Sequence, residues 1–197
     1  MTESNLVLQD IQQPQPPTRA DALKNRALIL ETAMKLFTEK DVHAVTMSDI
    51  AEAAGIGKGT LYRHFVDKAQ LCHALLDEDQ RSLQDRALEY FRTQGNPLDN
   101  LGWFLVEVAL FVDRNAPLLC VASDHAKTLE HPAHWWWRQT IRGLLSQINP
   151  SGDLEYFTDL FYVMLDVNTI YFQRRAQGYP IERITDGLLD TLHRITA

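Results

Sequence analysis

The eleven residues GIGKGTLYRHF, positions 55 to 65, gather three glycines, a lysine, a threonine, a tyrosine, an arginine and a histidine in a chain whose net charge is −7. Two chemistries suit that composition. Glycines beside lysine and threonine could cradle a phosphate, and basic and hydroxyl side chains on a short helix could meet a nucleic acid. A phosphate loop needs G-x-x-x-x-G-K-[ST] between a buried strand and a helix, so that backbone amides wrap the phosphates and the hydroxyl reaches magnesium. Here Lys58 is followed by Gly59, the position five before Gly57 is Glu52, and the element leading in is helical. The nucleotide reading fails on all three counts.

The elements that must position this stretch favour the second chemistry. TMSDIAEAAG opens with Thr46 as a cap and Asp49 three residues later, carries Ile50, Ala51 and Ala54, and stops at Gly55. That is a helix of about two turns. After the tight GIG, Leu61 and Phe65 fall four apart on one face of KGTLYRHF, leaving Lys58, Thr60, Tyr62, Arg63 and His64 mostly outward. Two short helices joined by a glycine turn form a helix-turn-helix, whose second helix offers its amino-terminal residues to the major groove. A merely solvated polar face would explain the charges but not the tyrosine and the glycines.

Around this pair, TRAD supplies a capping box at Thr18 and Asp21 for a first helix bearing Ile29, Ala33, Leu36 and Phe37 along one side. DKAQ caps a fourth, longer helix running through Leu71 and Leu75 to about Thr93. The segments ILETAMKLF and VTMSDIAEAAGIGKGTLYRHFVDKAQL, over roughly residues 23 to 71, resemble the DNA-binding domain of the TetR family of bacterial transcriptional regulators. The resemblance implies that helix three is the recognition helix. Lys58, Gly59, Thr60 and Arg63 would then lie at or near bases, Tyr62 and His64 would hold phosphates, and Thr46 and Lys68 would pin the flanking DNA backbone, with Ser48 in the same DNA-facing set. Helix amino termini attract phosphate, in keeping with those roles. Three positions depart from the family pattern. Gly57 stands where serine is usual and weakens a cap, Asp41 replaces a glycine and would have to tolerate left-handed geometry, and Val45 replaces a threonine and with it a phosphate contact.

Charge distribution agrees with one DNA-facing end. Residues 18 to 68 hold eight Lys/Arg against seven Asp/Glu, a net +1, whereas residues 69 to 197 hold eleven against seventeen, a net −6. A general nucleic-acid coat, driven by many released counterions, is excluded by that balance. Residues 1 to 17, with four Gln, three Pro and no Lys or Arg, read as a disordered tail. The domains expected are therefore this tail, a DNA-binding unit at 18 to 68, and a second helical unit at 69 to 197. With 45% apolar residues, no apolar run long enough for a bilayer and no secretory start, a globular cytoplasmic protein is expected. Cys72 and Cys120 read as buried, inert thiols.

No strand pattern competes, so the fold expected is all-α. Prolines at 97, 117, 132, 150 and 180 punctuate the second unit into helices. LGWFLVEVALFVDR and DLEYFTDLFYVMLDVNTIYFQRR are apolar on nearly every side and must be covered by neighbours or by another subunit. By resemblance this unit would dimerise through its last two helices and enclose a small-molecule effector. Ile181, Ile184, Leu188, Leu192 and Ile195 form one stripe suited to a four-helix interface across a twofold. Trp103, Phe104, Phe111, Trp136, Phe161 and Tyr171, with His125 and Asn168 as orienting polar groups, could line a largely apolar or aromatic effector pocket.

Two other functions compete. Asp124, His125, Glu130, His131 and His134 are metal-capable, yet they form no H-E-x-x-H or comparable ligand pattern, and no nucleophile or dinucleotide motif accompanies them. Neither a metal, a cofactor nor catalysis is expected. A regulator that binds DNA without any effector is the remaining alternative.

Overall fold

The computed structural model describes residues 19 to 122 and 132 to 196. All regular structure among them is helical. Helix α1 (Arg19–Glu39), a 3-10 turn (Val42–Ala44), α2 (Met47–Ala53), α3 (Lys58–His64) and α4 (Lys68–Gln94) are followed by α5 (Pro97–Ala122), α6 (Pro132–Ile148), α7 (Leu154–Met164), α8 (Val167–Arg175) and α9 (Ile181–Thr196). Thr18, the expected first cap, lies outside the described residues, as do Asp124, His125, Glu130 and His131.

Local chemistry ends the helices where the sequence suggests. Gly55 closes α2 at φ 65° and Gly95 closes α4 at φ 71°, a left-handed geometry that costs glycine nothing. Asp67 caps α4 by accepting from the Gln70 amide, while the Gln70 side chain takes the Val66 amide. Asp41 needs no left-handed geometry, contrary to expectation. Its φ is −54°, and its carboxylate instead caps the 3-10 turn by accepting from the His43 amide at 2.7 Å.

Two apolar cores result. Ile29, Ala33, Val45, Met47, Ile50, Leu61, Phe65 and Leu71 close the first, from α1 to the start of α4. The second is built around α5, which packs against α4, α6, α8 and α9 and so covers its all-round apolar surface within one chain. Helix α4 belongs to both, with Leu71 in the first core and Leu76, Leu83 and Ala87 in the second. A small third cluster of Val42, Cys72 and Ala122 joins the 3-10 turn, α4 and the end of α5.

Three expectations need correction here. The α9 stripe does not face outward: Ile184, Leu188 and Leu192 are buried in the second core, where α5 takes them. Gly102 permits that approach, since a Cβ there would meet Leu189 Cδ2 at 3.1 Å. Burial of each such side chain stabilises by about 2 kcal/mol, so the chain satisfies this stripe itself. Next, the apolar run 154 to 175 is two helices, because Asp166 accepts from the Asn168 and Thr169 amides and starts α8 afresh. Finally, Pro117 lies inside α5 instead of starting a helix. A proline there costs about 3 kcal/mol, which the extensive burial of α5 on both sides of it offsets.

Candidate nucleic-acid interface

The helix-turn-helix is set by a closed series of hydrogen bonds. Thr46 Oγ1 accepts from the Asp49 amide at 3.2 Å, and Asp49 Oδ2 accepts from the Thr46 amide at 2.8 Å. This reciprocal box fixes the start of α2. The Thr46 amide, then its hydroxyl, hold the Asp49 carboxyl below the usual carboxylate range. In the turn, the amides of Gly55 and Ile56 donate to the carbonyls of Glu52 and Ala51, and α3 begins with the Thr60 amide on the Gly57 carbonyl at 2.9 Å. Gly57 offers no side-chain cap, as its composition requires.

Leu61 and Phe65 anchor α3 in the first core, both essentially without exposure. Its other side is consequently free. Lys58, Gly59, Tyr62 and Arg63 are exposed, Tyr62 at 49%, while Thr60 and His64 are half-buried at the flanks. Gly59 has no internal reason to be glycine: a Cβ there would meet nothing within 4 Å, and its backbone is helical. Glycine in a helix costs roughly 0.5–1 kcal/mol relative to alanine. The space it leaves open belongs to whatever approaches α3 from outside.

Thr46 is exposed and Ser48 half-buried at the start of α2. The Thr46 hydroxyl accepts in the cap and lies at the exposed start of α2. Lys68 is placed differently from expectation. Its ammonium donates to the Val45 carbonyl at 2.6 Å and to the Val42 carbonyl, and it lies 5.7 Å over the Phe37 ring. Two of its three donors therefore hold the 3-10 turn to α4. Sequence spacing gave no sign of this, because the partners are backbone atoms 23 and 26 residues away.

The expected effector residues do not converge. Phe104, Phe111 and Phe161 are closed inside the second core, Asn168 is exposed on α8, and His125 lies outside the described residues. Trp103 stacks on Tyr90 with ring centroids 4.5 Å apart and borders a groove between α4, α5 and α9. Tyr171 borders a separate cleft between α5 and α8. Of the three consecutive tryptophans, Trp135 is exposed, Trp136 meets Phe104 edge-on, and Trp137 is buried edge-on to Phe111.

Sequence reasoning missed a different grouping. His73, Leu119, His134, Trp137, Leu165 and Val167 line a small cavity of about 10 Å³, room for at most one water. Beside it the Tyr162 hydroxyl and His134 Nδ1 share a hydrogen bond of 2.9 Å, and burial pushes the Tyr162 phenol up to about 12. Burial also pushes the Cys72 thiol up to about 11, in keeping with an inert thiol. Among the described residues no three metal-ligating side chains group together.

Comparison with known proteins bears on this geometry. Residues 29 to 75 match the model of "Bacterial regulatory proteins, tetR family". An HTH-type transcriptional regulator of Staphylococcus aureus (strain USA300) is 30% identical over 182 residues, which cover 87% of this chain and 94% of that protein. Among solved structures, a transcriptional regulator of the TetR/AcrR family from Thermobifida fusca aligns with TM-score 0.61 at 20% identity, over 84% of this chain and 97% of that one. NalD of Pseudomonas aeruginosa, the secondary repressor of the MexAB-OprM multidrug efflux pump, aligns with TM-score 0.61 at 20% identity, over 88% and 97%. At those identities the solved structures bear on the fold alone.

Proposed function

Because the chain belongs to the TetR family of DNA-binding transcriptional regulators, we propose that it works as a homodimeric repressor on a palindromic operator and is released by a small, largely apolar or aromatic effector. The observation that carries the reading is the outward face of α3, where Lys58, Tyr62 and Arg63 are exposed around a glycine that the fold itself does not need. Lys58, Thr60 and Arg63 are the base-proximal groups. Tyr62, His64, Thr46 and Ser48 meet the backbone, and Lys68 serves them from within by holding the 3-10 turn.

One recognition helix per chain requires two chains to reach successive major-groove faces, about 34 Å apart or a multiple of that. With the α9 stripe turned inward, the surface that suits a second copy is the outward side of α7 and α8. There Tyr156 is 67% exposed and Val163 57% on α7, and Phe172 54% on α8, large apolar groups that water disfavours. No described helix is long and apolar enough to cross a membrane, and work on an operator would be done in the cytoplasm.

For release, the effector must bind the DNA-incompetent arrangement more tightly than the competent one. The cluster of Val42, Cys72 and Ala122 supplies the mechanical link, since the end of α5 rests directly on the turn before α2. One observation favours the alternative of a regulator without an effector: Phe104, Phe111 and Phe161, expected to line a pocket, are packed inside the second core. Recovery of bound genomic DNA tests the reading as a whole. A shared inverted repeat in the recovered fragments supports it; fragments with no common symmetric element sink it. A ligand panel scored by release of that DNA then separates the two readings.

A further inference from the structure

Among the described residues of the acidic second part, one cleft gathers more positive than negative charge. A cleft of about 390 Å³ runs between α5 and α8, bordered by Asp113, Arg114 and Pro117 on one side and Tyr171, Arg174 and Arg175 on the other. Most other arginines described in this region face carboxylates, as Arg86 does Glu107, Arg138 Asp159 and Glu155, Arg142 Glu155 and Arg194 Asp190, while Arg183 lies over the Tyr179 ring. In the cleft three guanidiniums meet a single carboxylate. Asp113 is taken by Arg174, whose Nε donates to Oδ1 at 2.8 Å. Arg114 reaches only Asp79, at 3.9 Å with both groups more than half exposed, and Arg175 has no carboxylate partner among the described residues.

Arg174 differs from its two neighbours in being oriented. Besides Asp113 it donates from Nη1 to the Tyr179 carbonyl at 2.9 Å, which holds the planar group in place and leaves Nη2 uncommitted. A guanidinium fixed in this way is prepared for an oxyanion, and the more exposed Arg114 and Arg175 can close over it. The dipole of α8 accounts for basic residues in its last turn, where Arg174 and Arg175 stand. It does not account for Arg114, which comes from α5, nor for the apolar floor at Ile170 and the half-exposed Tyr171 ring.

We propose that this cleft binds a small ligand bearing an oxyanion, a carboxylate or a phosphate, through Arg114, Arg174 and Arg175. The site stands apart from α3 and does not depend on the DNA-binding roles assigned there. Its position still gives it a path to them. Pro117, on the cleft wall, is followed by Leu118, Val121 and Ala122, which pack against Val42, Phe37 and Cys72. An anion that draws α5 and α8 together therefore acts on the turn in front of α2.

The test uses the full chain at low ionic strength, with thermal stability and titration calorimetry measured against inorganic phosphate, pyrophosphate and benzoate, each compared with chloride at matched ionic strength. Arg114→Ala and Arg175→Ala are exposed changes that keep the fold, and Arg81→Ala on α4 is the control. Saturable binding of at least one anion is expected, weakened about tenfold in each cleft variant and unchanged in the control, the factor that corresponds to one charge-assisted hydrogen bond. Preference for pyrophosphate identifies a phosphoryl ligand, and preference for benzoate an aromatic carboxylate. Absence of saturable binding beyond chloride for all three anions, or equal binding in all four proteins, overturns the proposal.

Discussion

Lys68 Nζ lies 2.6 Å from the Val45 carbonyl, so the first residue of the long helix α4 is tied to the residue directly before the Thr46 cap. The same ammonium reaches the Val42 carbonyl, which makes Lys68 a clamp on the whole segment leading into the helix-turn-helix. Lys68→Met keeps the aliphatic stem over Phe37 and removes the clamp. Stability should fall by about 2 kcal/mol, as for loss of a hydrogen bond to a charged group. Affinity for every DNA sequence should fall together while the slope of log K against log salt stays the same. A slope smaller by about 0.9 would identify Lys68 as a phosphate contact instead.

Gly59 separates the demands of the fold from those of the partner. With nothing within 4 Å of its missing Cβ, Gly59→Ala should raise stability by up to about 1 kcal/mol. The added methyl projects into the approach to α3, so DNA affinity should drop. Thermal melts and operator binding on one sample check both. A variant that is more stable and binds as well as before would mean that DNA does not come close at this position.

Within α3, Arg63 and Tyr62 are both exposed but should behave differently. Arg63→Ala should relax preference at one half-site position at a cost of about 1–3 kcal/mol, whereas Tyr62→Phe should weaken all sequences alike. Competition on a half-site library distinguishes them. Uniform loss in both variants would remove the division into base and phosphate contacts.

The fold near α3 was legible because it is local. The Thr46–Asp49 capping box, the Asp67 cap, the Gly55 stop and the Leu61–Phe65 spacing act over three or four residues, and each is found in the structure. Features that depend on distant atoms were not. The Lys68 clamp uses backbone carbonyls, and the destination of the Ile184–Leu188–Leu192 stripe depended on whether α5 or a second chain would cover it. Periodicity marks a stripe but does not name its partner. Likewise, the large aromatic residues of the second part were visible, but a count of aromatics cannot tell a packed core from a pocket. Phe104, Phe111 and Phe161 proved to be core, while His73, which borders the small cavity beside His134, stood out by no motif.

His73 carries a pH dependence of its own. Burial, the largest influence, holds its imidazole below the ordinary histidine value. The unfolded chain then binds the proton more readily than the folded one, so stability is greatest above the unfolded value near 6.5 and declines as pH falls from there toward the folded value. His73→Leu should flatten the stability profile across that interval. Chemical denaturation at a series of pH values from 5 to 8, with the variant run in parallel, measures the difference; parallel profiles would show that His73 does not titrate with unfolding.

In the proposed function α3 meets DNA as one of a symmetric pair. Light scattering of the protein with a duplex carrying the recovered inverted repeat measures it most directly. Two chains, or a multiple of two, are expected per duplex at micromolar protein, with Phe172→Asp on the outward side of α8 reducing the assembly and the affinity together. A single chain per duplex, bound with undiminished affinity in the Phe172→Asp variant, would contradict it.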